Sequence, residues 1–373
     1  MDFRSQTLEE LKSRAGNLSG KQALAGFDGF VDKIVSAVDQ RAGPGKNFTA
    51  IDTIEKFGQR IAAAAGKSTN IELSQRQEKI GGNGPIMANA LISAGLKCRY
   101  IGALGKTGVQ PVFEKFASES NAVSIGDPGI TNAIEFSDGK IMISSMESLD
   151  DITFENVIEN MGEGALFDAV SRADLIALVN WTMVPHMTDI FNALLEKVLP
   201  HLGPAPDGRF FFFDLADPEK RSDGDVAALL TALRKFVAHG NVTLGLNLKE
   251  AQRISAVLGL APVKDDSEGI RRSAQGIRTS LDVSTVVVHP TDSAACATKD
   301  DSWWIAGPYT ESPAVSTGAG DHFNAGFAIG QVIGLSPPAC LTIAVATSGL
   351  YVRSGKSPSL FEIDSFIRNW QVN

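Results

Sequence analysis

The feature that most constrains the fold is a regular alternation of short apolar segments with longer amphipathic ones. The short segments have strand length and are rich in β-branched and aromatic residues: 24–27, 99–103, 175–180, 209–214, 242–247 and 285–289. Strands of this kind that alternate with helices form βαβ units, in which the strands pair in parallel and helices cover both faces. We therefore predict a three-layer α/β/α sandwich with a mainly parallel, doubly wound sheet.

One segment departs from this alternation. Residues 132–136 and 140–144 are two short β-like runs around Ser137-Asp138-Gly139, and an Asp-Gly pair in that position favours a β-hairpin. We predict that segments near 30–40 and 132–144 form a small β lid on a single domain covering residues 1–373. Two further expectations are an N-terminal helical extension and a helical insertion, at residues 1–20 and 45–78.

Composition excludes several classes of function. The formal net charge of −9 argues against a nucleic-acid partner, whose phosphates require a basic face. No run of the sequence reaches the roughly 18 apolar residues that a membrane helix needs, and the N-terminus lacks the apolar core of a secretion signal. Cys98, Cys296 and Cys340 have the spacing of neither a zinc site nor a disulfide framework. We expect a cytoplasmic protein with buried thiols and no membrane partner.

The strongest chemical motif lies at residues 316–327, which are Ser-Thr-Gly-Ala-Gly-Asp-His-Phe-Asn-Ala-Gly-Phe. Gly318 and Gly320 permit positive φ and close backbone approach, and the apolar periodicity that follows predicts a helix. Amide groups and the helix dipole at such an N-terminus favour an anion, for example a phosphoryl group in transfer. Asp321, in the first turn, either caps the helix or accepts a proton from an attacking hydroxyl.

Two more motifs combine glycine or amide groups with a helix start. Residues 81–84 are Gly-Gly-Asn-Gly and open an amphipathic helix, so the backbone there can approach a ligand closely. Asn247 and Glu250 lie one helical turn apart after a predicted strand. They form either a capping box or a pair that holds the water ligands of a magnesium ion.

Polar residues after the ends of predicted strands are the remaining candidates. In doubly wound sheets, ligands bind at the carboxyl edge, and Asp28 and Asp32 both follow the first strand. The spacing does not choose between them, and either is also compatible with a turn. Asn180 follows another strand and either contacts a substrate or caps a loop.

Residues 317–327 resemble the C-terminal signature of the ribokinase (PfkB) family of carbohydrate and nucleoside kinases. Residues 81–108 resemble its N-terminal signature, and the likeness spans roughly residues 22–360. It implies transfer of the γ-phosphate of ATP to a hydroxyl of a sugar or sugar-like small molecule. Asp321 would be the base, and the anion hole would consist of Gly318, Ala319 and Gly320.

The resemblance also implies binding roles. The predicted substrate-binding residues are Asp28, Asp32, Gly82, Asn83 and Asn180. The predicted ATP-binding residues are Thr317, His289, Asn247 and Glu250, and the last two would also bind Mg²⁺ through water. A homodimer is expected, because lids in this family often pair.

Three positions depart from the family pattern. Ile86 stands where an Asn often contacts sugar hydroxyls, so a nucleoside or a vitamin-like alcohol is an alternative substrate. Val315 replaces an Asp tied to a monovalent-cation site, which makes potassium activation unexpected. His289 begins a segment without the usual glycines; it either approaches a phosphate or is a buried, satisfied histidine. This last departure leaves open a non-catalytic pseudokinase that binds a metabolite.

Overall fold

The computed structural model describes residues 3–203 and 208–370; residues 1–2 of the predicted N-terminal extension lie outside these ranges. The strands of the described residues are β1 (Gln22–Phe27), β2 (Phe30–Arg41), β3 (Phe48–Ala50), β4 (Leu73–Gly81), β5 (Lys97–Gly102), β6 (Val123–Ser124), β7 (Gly129–Phe136), β8 (Gly139–Ser145), β9 (Leu175–Leu178), β10 (Phe210–Asp214), β11 (Asn241–Leu246), β12 (Thr285–Val288), β13 (Ser293–Ala297) and β14 (Ser302–Ala306).

The α-helices of the same residues complete the element order. They are α1 (Arg4–Arg14), α2 (Ile54–Ala62), α3 (Asn83–Ser93), α4 (Glu114–Glu119), α5 (Phe154–Met161), α6 (Glu163–Arg172), α7 (Met187–Ala193), α8 (Asp223–Phe236), α9 (Leu248–Val257), α10 (Ser267–Leu281), α11 (Ala319–Val332), α12 (Pro337–Ser354) and α13 (Leu360–Asn369). None of the described helices combines the length and apolar character needed to cross a bilayer.

The large sheet has the order β14-β13-β12-β11-β10-β9-β1-β5-β6. Neighbours from β12 to β6 pair in parallel, and β13 and β14 are added antiparallel at one edge. The chain starts at β1 inside the sheet, extends to β5 and β6 on one side, and continues from β9 on the other. This order confirms the doubly wound sheet and places the switch point beside β1.

The sheet is covered on both faces. Along β9, Ile176 and Leu178 pack into the apolar core on one face, whereas Leu175 and Ala177 pack into the core on the other. Successive side chains of a strand point to opposite faces, so a strand buried on both sides is apolar throughout. This explains why the predicted strands are continuous apolar runs and confirms the three-layer arrangement.

The lid is a second sheet, of five strands. β2 pairs with β3 and β4 antiparallel and with β7 in parallel, and β7 and β8 form an antiparallel hairpin with Phe136 opposite Gly139. The predicted hairpin is therefore confirmed, and β2, β7 and β8 coincide with the segments assigned to the lid.

The segment 45–78 is only partly helical, which differs from the prediction. It contributes α2, but also β3 and most of β4, which pairs with β2 from Leu73 to Gly81. Most of β4 is exposed and polar, so its sequence carries no apolar alternation, and only backbone pairing with β2 makes it a strand. On the outer face of the lid, α2 contributes Phe57 to a small core with Val35, Ala37 and Ile134.

The N-terminal extension is helical from Arg4 and packs against α12 and α13. Glu10 accepts hydrogen bonds from the amide and the hydroxyl of Ser336, each at 2.7 Å. The extension is thus held by packing and hydrogen bonds against the C-terminal part of the chain.

Candidate active site

Five polar residues come together at the carboxyl edge of the large sheet. Asp214 is the last residue of β10. The other four follow the ends of neighbouring strands: Asp28 after β1, Asn180 after β9, Asn247 after β11 and His289 after β12. Because the strands are parallel and adjacent, residues far apart in the chain meet at this edge. Helices α3 and α11, which pack on each other, begin there as well.

Asp321 lies in the first turn of α11 and is 6% exposed. The turn before it requires glycine, since Gly318 has a φ of +89°. Asn83 Nδ2 donates a hydrogen bond to Asp321 Oδ1 at 2.9 Å. Burial, together with repulsion from Asp28 and Glu250, raises the pKa of Asp321 to about 8, although the Asn83 hydrogen bond opposes this shift. The carboxyl is therefore a proton acceptor of unusual basicity.

The turn before Asp321 leaves two amide groups available. The amides of Gly318 and Gly320 donate to no group among the described residues, whereas that of Ala319 donates to Ser316 O at 3.3 Å. Gly318 and Gly320 thus have the free donors expected of an anion hole, and Ala319 is already paired.

Two aromatic side chains fix the carbonyls of this turn. Tyr351 donates its hydroxyl to Thr317 O at 2.9 Å, and His322 Nδ1 lies 2.7 Å from Gly318 O. A carbonyl only accepts, so His322 is protonated at Nδ1. The two rings stack with centroids 3.5 Å apart. Sequence reasoning missed both residues; His322 adjoins the motif, but its partner Tyr351 is brought to it only by the packing of α12 on α11.

Asp28 is completely buried, and its carboxylate is hydrogen-bonded to groups of the protein. Its carboxylate accepts hydrogen bonds from the amides of Asn83 (2.9 Å) and Gly84 (2.8 Å) and from Asn180 Nδ2 (2.5 Å). Desolvation raises the pKa of Asp28 to about 6 in spite of these donors. A Cβ at Gly82 or Gly84 would lie 2.8 or 2.5 Å from the carboxylate, so the glycine motif makes room for Asp28.

Asp32, in contrast, is half-buried and lines a cavity of about 1210 Å³ between the lid and the sheet edge. Burial raises the pKa of Asp32, while Lys140, Lys79 and the hydroxyl of Thr131 act in the opposite direction. Of the two predicted aspartates, Asp32 is therefore the one exposed to a ligand. Asn180 is buried against Asp28 and does not line this cavity.

A second cavity of about 360 Å³ lies on the other side of the glycine turn and is lined by Asn247, His289 and Gly320. Ser316 lines both cavities, and Thr317 lines the larger one. The turn thus stands between two compartments, as a group transferred from one ligand to another requires.

Asn247 and Glu250 form the capping box that was one of the two predicted alternatives. Glu250 N donates to Asn247 Oδ1 at 2.9 Å, and Asn247 N donates to Glu250 Oε2 at 2.8 Å. Glu250 Oε1 also accepts from the amide of Asp217 at 3.1 Å. Burial raises the pKa of Glu250. These contacts fix the carboxylate at the site edge.

Asp214 is a buried carboxylate close to Glu250 and Asp321. Burial and the charges of these two neighbours raise the pKa of Asp214 far above its ordinary range. Asn324 Nδ2 donates to Asp214 Oδ2 at 2.8 Å, whereas Asp214 Oδ1 has no partner among the described residues. An unpartnered buried oxygen of this kind is a natural ligand position for a cation.

The residues present fit a magnesium ion. Within residues 3–203 and 208–370, no three acidic, histidine or cysteine side chains converge closely enough to hold a metal by themselves. Magnesium, however, retains water and takes phosphate oxygens, so one or two carboxylates suffice. Asp214 and Glu250 supply such oxygens at the carboxyl edge of the large sheet.

His289 is half-buried, and one nitrogen of its ring makes no hydrogen bond among the described residues. Its ring stacks on Phe323 with centroids 4.4 Å apart, and Nε2 has no partner among the described residues. Burial lowers the pKa of His289 to about 4, so the ring is neutral. Of the two predicted interpretations, that of a satisfied histidine is wrong, because Nε2 makes no hydrogen bond with the part of the chain that the structure describes. His289 lines the smaller cavity.

Comparison with known proteins shows the family and the fold of this chain. A family model for prokaryotic ketohexokinase matches residues 6–370. The ketohexokinase of Haloferax volcanii is 27% identical over 351 residues, which cover 94% of this chain and 91% of that protein. Two solved structures share the fold. The ribokinase of Arabidopsis thaliana complexed with ribose and ATP has a TM-score of 0.61 at 16% identity, covering 93% of this chain and 98% of that one. The nucleoside kinase of Methanocaldococcus jannaschii has a TM-score of 0.62 at 15% identity, covering 94% and 98%.

The family model, the Haloferax relative and the shared fold identify the chain as a sugar kinase of the ribokinase type. The resemblance seen in the two glycine signatures is therefore confirmed. Within this class, the chain belongs to the prokaryotic ketohexokinase family.

Proposed function

We propose that the protein transfers the γ-phosphate of ATP to a hydroxyl of a ketohexose, with Asp321 as the general base. The observation that carries the proposal is the position of Asp321, buried at the N-terminus of α11 and oriented by Asn83. The name of the Haloferax relative supports the substrate class. ATP would occupy the smaller cavity and the sugar the larger one.

The chemical step follows from the arrangement. The substrate oxygen forms a bond to the γ-phosphorus, the bond from that phosphorus to the β,γ-bridging oxygen breaks, and its electron pair leaves with ADP. Asp321 takes the hydroxyl proton. A base with a pKa of about 8 lies close to the working pH, where general-base catalysis is efficient.

The transferring group carries its charge on peripheral oxygens, which fixed donors stabilise. The free amides of Gly318 and Gly320 supply such donors at the start of α11. His322 and Tyr351 hold the adjoining carbonyls, so these amides need no reorganisation when charge develops.

The residues that bind the sugar and those that bind ATP line different cavities. Asp32 binds sugar hydroxyls, and Asp28 positions Asn83 rather than contacting the sugar. His289 offers Nε2 to a phosphate oxygen of the donor. Magnesium, when bound, neutralises phosphate charge, and Asp214 and Glu250 would hold it directly or through water. Formation of a homodimer stays a prediction.

The substrate class is tested by magnesium-ATP turnover on a panel of ketohexoses, aldoses, nucleosides and vitamin-like alcohols, with release of ADP as the readout. We expect a ketohexose such as fructose to give the highest kcat/KM, at least about tenfold above the aldoses, the margin that roughly 1.4 kcal/mol of transition-state binding confers. A nucleoside that outperforms every sugar would assign the pocket near Ile86 to a nucleobase. ATP binding without turnover on any compound would favour the pseudokinase.

The pH dependence of kcat/KM tests the environment of the base. Only ionised Asp321 accepts a proton, so kcat/KM should rise with pH and level off above about pH 8. Glu250 is a like charge that raises the pKa of Asp321, so Glu250→Gln should move the rise towards lower pH, by about half a unit. A profile that is flat between about pH 6 and 9 would contradict the assignment of Asp321.

A further inference from the structure

Lys140, the second residue of β8, connects the lid to the glycine turn. Its Nζ contacts the hydroxyl of Thr317, the residue that precedes Gly318. The side chain lines the larger cavity, and Asp32 is near enough to interact with it electrostatically. None of the ion pairs found among the described residues includes Lys140. A lid cation thus lies one residue from the anion hole without a fixed counter-ion.

The insertion holds the hairpin that carries Lys140. In the turn between β7 and β8, Asp138 Oδ1 accepts from the amide of Ile54 at 2.9 Å, the N-terminal residue of α2. The amide and the hydroxyl of Ser137 both donate to Asp52 O at 2.7 Å. The hairpin tip is therefore hydrogen-bonded to the first residue of α2 and to Asp52 just before it, and these bonds fix the strand that carries Lys140 to the insertion.

The charge requirement of the reaction matches this position. The two free amides of Gly318 and Gly320 are fewer than the three equatorial oxygens over which a transferring phosphoryl group spreads its negative charge. The surrounding carboxylates Asp28, Asp214, Glu250 and Asp321 are all negative when ionised and oppose that charge. An ammonium at the turn would offset this repulsion, and lysine acts on phosphate as a point charge.

We propose that Lys140 is a catalytic residue, whose ammonium contacts an oxygen of the transferring phosphoryl group when the lid is closed over the sugar. The inference rests on the proposed function, because it assigns a role at the same phosphoryl-transfer site. It also links lid closure to chemistry, since the ammonium reaches the phosphoryl group only from the closed lid. Opening of the lid would remove Lys140 from the site and so slow the transfer of phosphate to water.

The test compares Lys140→Met and Lys140→Arg with the wild type at saturating ATP and ketohexose. We expect Lys140→Met to lower kcat by about 10²–10³-fold, the range for loss of one transition-state donor, and to change both KM values by less than about threefold. Lys140→Arg should restore at least a tenth of the wild-type kcat, since it keeps the charge. The control is Lys56→Met on α2, an exposed lysine paired with Asp52, which should leave kcat unchanged.

A kcat of Lys140→Met within about threefold of the wild type would overturn the proposal. So would a loss confined to the KM of the sugar, which would make Lys140 a substrate-binding residue. Lys140 is exposed, so its replacement should not affect thermal unfolding.

A second variant tests the support of the hairpin. Asp138→Ala removes the hydrogen bond to α2 and should lower kcat by about threefold to tenfold, with an unchanged apparent affinity for ATP. In the Lys140→Met background it should have no further effect on kcat, because it acts through Lys140. Equal effects in both backgrounds would contradict that dependence.

Different measurements would show failure of the proposed function and failure of the role assigned to Lys140. Turnover of the sugar panel by the wild type decides the substrate class, whereas the ratio of Lys140→Met to wild type decides the role of Lys140. Were no sugar phosphorylated, the ratio would be taken from magnesium-ATP hydrolysis in the presence of the panel compound that binds most tightly, because a bound compound keeps the lid closed while water replaces the acceptor hydroxyl. A ratio near one would overturn the inference there as well.

Discussion

Replacing Asp321 by Asn is expected to lower kcat by about 10²–10⁴-fold, the contribution of a general base, with small changes in the KM values. Asparagine has nearly the shape of Asp321 and keeps an oxygen for the hydrogen bond from Asn83, but it cannot accept the hydroxyl proton. Steady-state kinetics at pH 8 gives the result. An unimpaired variant would remove Asp321 as the base.

The same substitution should make the protein more stable. If Asp321 were only a helix cap, its replacement would not stabilise the protein. The pKa of Asp321 is raised from 3.8 to about 8 in the folded state. The stability that the protonated carboxyl of Asp321 contributes is therefore fully present below about pH 4 and is lost as the pH rises through 8. Asparagine lacks this penalty. We expect the free energy of unfolding of Asp321→Asn to exceed that of the wild type by a few kcal/mol above pH 8.

The pH dependence of the stability difference between Asp321→Asn and the wild type is the control for this prediction. The difference in stability should diminish as the pH falls from 8 towards 5, because the wild-type carboxyl becomes protonated. Chemical denaturation of both proteins across this range measures it. A variant less stable than the wild type at every pH would mean that Asp321 is mainly a helix cap.

Replacing Asp28 by Ala should lower the free energy of unfolding by on the order of 3 kcal/mol, since buried donors would lose their acceptor. These donors are the amides of Asn83 and Gly84 and the side chain of Asn180. Activity should fall as well, because Asn83 orients Asp321. Denaturation at pH 7 and steady-state kinetics measure the two effects.

Asp32→Ala is the matched control, four residues away and on the cavity side. Its removal should reduce kcat/KM for the sugar by about 10- to 100-fold, equivalent to the loss of a charged hydrogen bond. Its stability should change by less than about 1 kcal/mol, because the side chain is half-buried. The opposite pattern, with Asp28 controlling sugar affinity and Asp32 controlling stability, would reverse the two assignments.

Several features could be predicted because they depend on neighbours in the sequence. The alternation of apolar strands with amphipathic helices indicated the sheet, and the Asp-Gly pair indicated the β7–β8 hairpin. The glycines before Asp321 indicated a helix N-terminus, where Gly318 does adopt a positive φ. The capping box of Asn247 and Glu250 was also among the predicted alternatives. Backbone conformation and hydrogen bonds over three or four residues are determined locally.

Only the tertiary structure decided the chemistry of the site. It separated buried Asp28 from accessible Asp32, left His289 Nε2 without a partner, and placed Lys140 beside Thr317. Asn83 and Asp321 are 238 residues apart in the chain, yet they share a hydrogen bond. Burial and charge interactions of this kind arise between segments that meet only when the sheet is assembled. Motifs in the sequence therefore identify the candidate groups, whereas folding fixes their exposure, their partners and their pKa values.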